Sequence, residues 1–149
     1  MANLVVKSPA FENNTNIPSK YSSCDGQEVN PPLTVEGIPA EAKTLVLIMD
    51  DPDAPSGTYD HWVVWNISTN GNIEENCVPG VQGLNSAGEQ AYAGMSPPSG
   101  THRYFFKVYA LDTKLELNPK ATRKRDIERA MQGHILAQGE LIGLYRRKR

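Results

Sequence analysis

The chain has little with which to staple or anchor itself. Two cysteines in 149 residues, Cys24 and Cys77, are too few for a disulfide scaffold or a thiolate zinc site. No apolar run is long enough to offer a membrane span. The opening Met1-Ala2-Asn3-Leu4 lacks the basic and apolar segments of a secretion signal. Together these absences predict a cytoplasmic protein with free thiols. The 12 glycines and 11 prolines follow no period, which excludes a collagen-like or low-complexity chain. Neither an HExxH nor a GxSxG pattern occurs, and neither cysteine neighbours a histidine in sequence. The common signatures of a zinc hydrolase and of a serine or cysteine nucleophile are therefore missing.

What is present suits one domain spanning residues 1–149. A hydrophobic content of 39% is enough for a single core at this length. The net charge of -2 hides an asymmetry: residues 1–119 hold 6 basic and 14 acidic side chains, whereas residues 120–149 hold 9 and 3. The acidic majority argues against nucleic-acid binding. The terminal run Arg146–Arg149 is short, and solvation is its default role.

Three segments read as strong strands. Thr44–Met49 is a continuous apolar run, predicted to be a strand buried on both faces. It runs into Asp50-Asp51-Pro52-Asp53-Ala54-Pro55, whose prolines cannot continue a ladder. Asp60–Ile67 and Tyr104–Leu111 are aromatic and β-branched. Leu4–Val6 and Leu141–Tyr145 are weaker strand candidates. Residues 8–33 and 78–101 are loop-like, rich in Asn, Ser, Pro and Gly. One helix is predicted, with Thr122 as N-cap and Ile127, Ala130, Met131, His134 and Ile135 on one face. Several strands with irregular connections and no βαβ alternation predict an antiparallel sandwich. The cations Arg123-Lys124-Arg125 fall in the first helical turn, where the helix dipole disfavours them.

Polar groups gather at the ends of the strong strands. Asp51 and Asp53 follow the first, His61 opens the second, and His102 and Tyr104 open the third beside the Gly94–Gly100 stretch. Strand ends and loops on a rigid sheet are favoured positions for sites. Two carboxylates, two imidazoles and a phenol admit three chemistries. They suit a divalent metal, and so a metal-assisted hydrolase using Asp51, Asp53, His61 and His102. They also suit a small polar ligand, with imidazolium, phenol and backbone N–H groups meeting an anion. The bland alternative has the aspartates capping turns and His61 packing beside Trp62. Five such groups at the ends of three strands favour a site. The distant histidines, in no recognisable metal spacing, favour ligand binding over metal.

Asp51-Pro52-Asp53-Ala54-Pro55 followed by His61-Trp62, and Pro97-Pro98-Ser99-Gly100-Thr101-His102-Arg103-Tyr104-Phe105-Phe106 closed by Tyr109-Ala110-Leu111-Asp112, resemble the phosphatidylethanolamine-binding protein family. This is the family of the Raf kinase inhibitor protein, and the length matches its short bacterial and archaeal branch. The resemblance covers nearly the whole chain. It implies a mainly β fold, a Greek-key sandwich of a larger and a smaller antiparallel sheet with one or two helices. It also implies a pocket for anions such as phosphate, acetate and phosphoethanolamine headgroups, without a cofactor. Residue by residue, that pocket would be Asp51, Asp53, His61, Trp62, Pro97, His102 and Tyr104. His61 would be the main anion partner, and Trp62 would stand where relatives carry another aromatic. A cis Ala54–Pro55 bond is implied as well. The chain stops four residues after Tyr145, so the C-terminal gating helix of longer relatives is missing or replaced. Inhibition of a kinase or serine protease and formation of a homodimer are suggested for relatives and do not follow from these residues. On chemistry, Asp51 and Asp53 are expected to raise the histidine pKa values and keep both imidazoles cationic near neutral pH.

Overall fold

A computed structural model describes residues 2–148. Its strands, in chain order, are Ala2–Asn3 (β1), Val5–Lys7 (β2), Thr15–Asn16 (β3), Leu33–Glu36 (β4), Thr44–Asp51 (β5), Tyr59–Ile67 (β6), Asn72–Ile73 (β7), Val81–Gln82 (β8), Thr101–Leu111 (β9) and Ile135–Arg146 (β10). A 3-10 turn covers Ser19–Tyr21, and the α-helix Lys124–Met131 (α1) precedes β10. The larger sheet has the order β1-β10-β9-β5-β6-β8, with β3 also on β10, and the smaller has the order β2-β4-β7. All the long strands pair antiparallel. The two-residue β1 and β3 are exceptions to the wholly antiparallel expectation, since both run parallel to β10. Among the described residues no helix is long and apolar enough to cross a membrane.

Two layers of apolar packing explain why β5 is apolar throughout. Successive strand residues face opposite sides of a sheet. Leu45, Leu47 and Met49 join Trp62, Val64, Phe106 and Val108 in the core between the sheets. Val46 and Ile48 join Val63, Trp65, Ile127 and Met131 beneath α1. All eight residues of β5 are buried.

The helix is shorter than its apolar periodicity predicts. Arg123, not Thr122, is the N-cap. Thr122 donates its hydroxyl to Asn118 O at 2.7 Å, closing the preceding turn. The Asp126 carboxylate accepts the Arg123 N–H at 2.9 Å, placing an acid where orphan N–H groups and the dipole favour one. Gly133, at φ +81°, ends the helical stretch, and Ile135 belongs to β10 rather than the helix face. Two cations in the first turn have partners outside the helix. Lys124 Nζ lies 3.2 Å from Asp50 and 2.9 Å from Asp60, and Arg123 donates to Asn85 O at 3.2 Å. Their cross-sheet contacts outweigh the small dipole penalty.

β10 begins well before the predicted Leu141. At Gly143 a Cβ would come within 2.4 Å of the Ile17 side chain, so only glycine lets the segment after β3 cross the strand this closely. The implied cis bond is also corrected: no cis peptide bond occurs among the described residues. The turn after β5 closes with a trans Ala54–Pro55 bond, through a hydrogen bond from Gly57 N–H to Ala54 O at 3.2 Å. Cys24 and Cys77 are both free thiols. Arg149, the last of the basic terminal run, lies outside the described residues.

Candidate functional site

The site forms where the inner face of the larger sheet runs out of apolar residues. Asp51 continues the inward row of β5 beyond Met49. His102 and Tyr104 continue the inward row of β9 beyond Phe106, because residues two apart share a face. His61 reaches the same face through a β-bulge. Asp50 pairs with Asp60 and Met49 with Trp62, so His61 is one extra residue on β6. Such an insertion re-aims a side chain locally. Asp60 stays on the outer face with Lys124, whereas the His61 ring stands edge-on to Tyr104 with centroids 5.3 Å apart.

These groups line a cavity of about 380 Å³. Pro97, Pro98, Ala93, Ala54 and Pro55 form much of its apolar rim. Asp51 and His102 are both buried and joined by a 2.7 Å contact between Oδ2 and Nδ1. The other Asp51 oxygen accepts the Asp53 N–H at 2.8 Å. Both carboxylate oxygens are thus engaged, and His102 Nδ1 carries the hydrogen that it donates to Asp51. The Tyr104 side chain is completely buried, and its hydroxyl has no hydrogen-bond partner among the described residues. Burial raises the Tyr104 pKa, helped by the charge of the Asp51 carboxylate and by its weak pull on the hydroxyl hydrogen, short of a well-formed hydrogen bond, so the phenol stays protonated and can donate.

His61 departs from the expected imidazolium. Burial holds its pKa below the ordinary histidine value, outweighing the upward pull of the Ala93 carbonyl and of Asp51. Near neutral pH the ring is therefore uncharged. Its Nδ1 lies 2.8 Å from Ala93 O. A carbonyl only accepts, so Nδ1 carries the hydrogen and Nε2 is left with a lone pair.

Asp53 and Trp62 are placed outside the cavity. Pro52 ends the strand, and the chain swings Asp53 outward. There its two oxygens take Arg103 Nε and Nη2 at 2.9 and 2.8 Å, and the Arg103 N–H at 2.9 Å. Hydrogen bonding from Arg103 draws the Asp53 pKa down to about 2. Trp62 sits in the core between the sheets, donates its indole N–H to Gln82 at 2.7 Å, and meets Tyr92 edge-on at 5.4 Å. Its role is to support the segment before Ala93. With Asp53 turned away, the expected metal-ligand quartet does not converge. Among the described residues no group of three or more His, Cys, Asp or Glu side chains is arranged to hold a metal ion.

Several lining residues escaped the sequence reading. Tyr59 lies 4.8 Å from the His61 ring. Glu28 adopts φ 56° and accepts the Gly94 N–H at 3.2 Å. Ser23 and Glu89 also reach the cavity. They come from stretches without periodic pattern, where local sequence carries little signal of which side chain turns inward.

The family profile for phosphatidylethanolamine-binding proteins matches residues 7–146. The chain belongs to this family. A UPF0098 protein of Methanothermobacter thermautotrophicus is 50% identical over 95% of this chain and 98% of its own length. A UPF0098 protein of Pyrococcus abyssi is 49% identical over 97% of this chain and 86% of its own. Among solved structures, a phosphatidylethanolamine-binding protein homolog from Chlamydia trachomatis superposes with a TM-score of 0.93 at 42% identity, covering 99% of this chain and 100% of its own. Escherichia coli YbcL, a member of the mammalian phosphatidylethanolamine-binding protein family by its description, superposes with a TM-score of 0.89 at 26% identity over 99% and 100% of the two chains. The two-sheet fold is thus that of the phosphatidylethanolamine-binding proteins, and the family's name speaks of binding rather than of a reaction.

Proposed function

We propose that the pocket binds a small anion, phosphorylated or carboxylate-bearing and of headgroup size, and holds it without covalent chemistry. The observation that carries this reading is the buried Tyr104 hydroxyl, unpartnered and beside two imidazoles. Leaving a buried hydroxyl unsatisfied costs about 1–3 kcal/mol. A ligand oxygen that accepts from it offsets that cost, and hydrogen bonds to charged groups are the stronger kind. The cavity volume of about 380 Å³ suits a headgroup rather than acyl chains. A phosphoethanolamine-type headgroup and free phosphate share the oxyanion chemistry that Tyr104 can recognise.

Neutral His61 adds a condition. Its Nε2 lone pair repels an oxyanion unless a proton comes with it. The ligand therefore either binds as a protonated anion that donates to Nε2, or its binding draws a proton onto His61. The bound anion raises the His61 pKa from the depressed value of the free pocket. Affinity consequently rises as pH falls toward the free-pocket pKa, and it weakens as pH climbs through the higher pKa of the complex. Calorimetry of inorganic phosphate and of phosphoethanolamine, in buffers of differing ionisation enthalpy, measures the proton directly. Net proton uptake is expected for the native chain, with weaker binding and no uptake for His61→Gln. Equal affinity and equal proton uptake in the two proteins would contradict the assignment.

A further inference from the structure

The basic C-terminal run has a place at this pocket. The Tyr145 hydroxyl donates to Asp25 at 2.5 Å, and the same carboxylate oxygen accepts the Lys148 N–H at 2.9 Å. This latch sets Arg147 over the rim. Its Nε donates to Pro97 O at 3.1 Å and its Nη2 to Ser96 Oγ at 2.9 Å. Ser96, Pro97 and Pro98 all line the cavity. The segment needs an outside tie, because its two prolines have no N–H to give to a ladder.

Charge makes Arg147 different from the other cations near the site. Arg103 is taken up by Asp53, and Lys107 and Lys124 by Asp50 and Asp60. Arg147's hydrogen-bond partners among the described residues are a carbonyl and a hydroxyl, both neutral. The cavity lining holds Glu28, Asp51 and Glu89 but no lysine or arginine. With His61 uncharged, the three carboxylates of that lining face no lysine or arginine within it. An anion approaching such a wall needs a cation at the mouth, and opposite charge favours an anion more than a neutral molecule of the same shape.

We infer that Arg147 is a specificity-determining residue of the pocket, holding the Ser96–Pro98 rim in place and supplying the positive charge that favours anionic occupants. The inference rests on the anion-pocket reading above, and its test separates the two. Inorganic phosphate is titrated by NMR into the native chain, Arg147→Gln, Arg147→Lys and His61→Gln, at low and high salt. All three substitutions are first checked for unchanged folded spectra. Arg147→Gln is expected to weaken phosphate binding about fivefold at low salt, with the gap closing at high salt, as screening of one charge requires. Arg147→Lys is expected to recover most of the loss, which a purely structural tie to Pro97 would not do. Native affinity in Arg147→Gln, with binding lost in His61→Gln, would overturn this inference and leave the pocket reading standing. Equal losses in Arg147→Gln and Arg147→Lys would overturn the charge role. No phosphate binding to the native chain would overturn both.

Discussion

Residues 50 and 51, like 60 and 61, are sequence neighbours with opposite fates. Asp50 and Asp60 stand on the outer face of the larger sheet, where Lys107 and Lys124 neutralise them at 2.9–3.2 Å. Asp51 and His61 stand on the inner face, where the cavity lining offers no lysine or arginine. The outer face carries an ion network that fastens α1 to the sheet; Asp60 Oδ1 there also lacks a hydrogen bond, but its charge is met by Lys124 at 2.9 Å. The inner face leaves a phenol hydroxyl without a partner and an imidazole lone pair facing the cavity. Alternation along β5 and one inserted residue in β6 separate the two. Charge count alone thus does not locate a site: the cluster whose carboxylates meet lysines is structural, and the one without lysine or arginine is the candidate for binding.

Substitutions on each face should break the comparison in opposite ways. The largest effect is expected from Asp50→Ala. Asp50 is 1% exposed and meets two lysines, so its loss leaves the Lys107 ammonium without its carboxylate and Lys124 with Asp60 alone. Chemical denaturation should register a destabilisation of about 3 kcal/mol, the lower end for a broken buried pair because both lysines keep some contact with water. Phosphate affinity of the folded fraction should stay near native. Tyr104→Phe should do the reverse. Removing an unpartnered buried hydroxyl should leave stability unchanged or raise it by up to about 1 kcal/mol. The same change should weaken phosphate binding about ten- to a hundredfold, as loss of one hydrogen bond to a charged ligand does. Destabilisation of the Tyr104→Phe chain together with native affinity would erase the distinction between the faces.

The smallest effect should come from Asp53→Asn, which sharpens the boundary between them. The folded-state pKa of Asp53 is lowered from 3.8 to about 2. The stabilisation is therefore present above the unfolded value and is lost as pH falls through the folded one. Arg103 is 53% exposed on its side chain, so the pair is screened and contributes under ~1 kcal/mol at neutral pH. The stability gap between the native chain and Asp53→Asn should shrink as the solution is acidified from pH ~4 to pH ~2, and phosphate affinity should be unchanged. A large loss of phosphate affinity would place Asp53 in the pocket after all.

Much of this architecture is legible in the residues. The apolar run of β5 and the aromatic, β-branched runs of β6 and β9 announce three central strands, because burial on both faces demands such composition. The concentration of Asp51, His61, His102 and Tyr104 at their ends follows from the same alignment. What stays hidden depends on pairing and burial. The bulge that turns His61 inward exists only in the register between β5 and β6. The outward swing of Asp53 is decided by Arg103, fifty residues on. The start of β10 at Ile135 is obscured because Gly139 and Gly143 weaken the strand pattern, although the Leu4 backbone at Gly139 and the Ile17 and Phe11 side chains at Gly143 require their small size. The charge state of His61 also escapes a reading of neighbouring carboxylates, since desolvation by the fold outweighs them.

On the anion-pocket reading, His61 is neutral in the free pocket and gains or shares a proton when an anion binds. Nitrogen NMR of the His61 ring, recorded near neutral pH with and without inorganic phosphate, tests it most directly. The free protein should show Nδ1 protonated and Nε2 unprotonated, and saturating phosphate should move Nε2 to the shift of a protonated or hydrogen-bonded nitrogen. A ring already doubly protonated in the free protein, or an Nε2 signal indifferent to phosphate, would contradict the account.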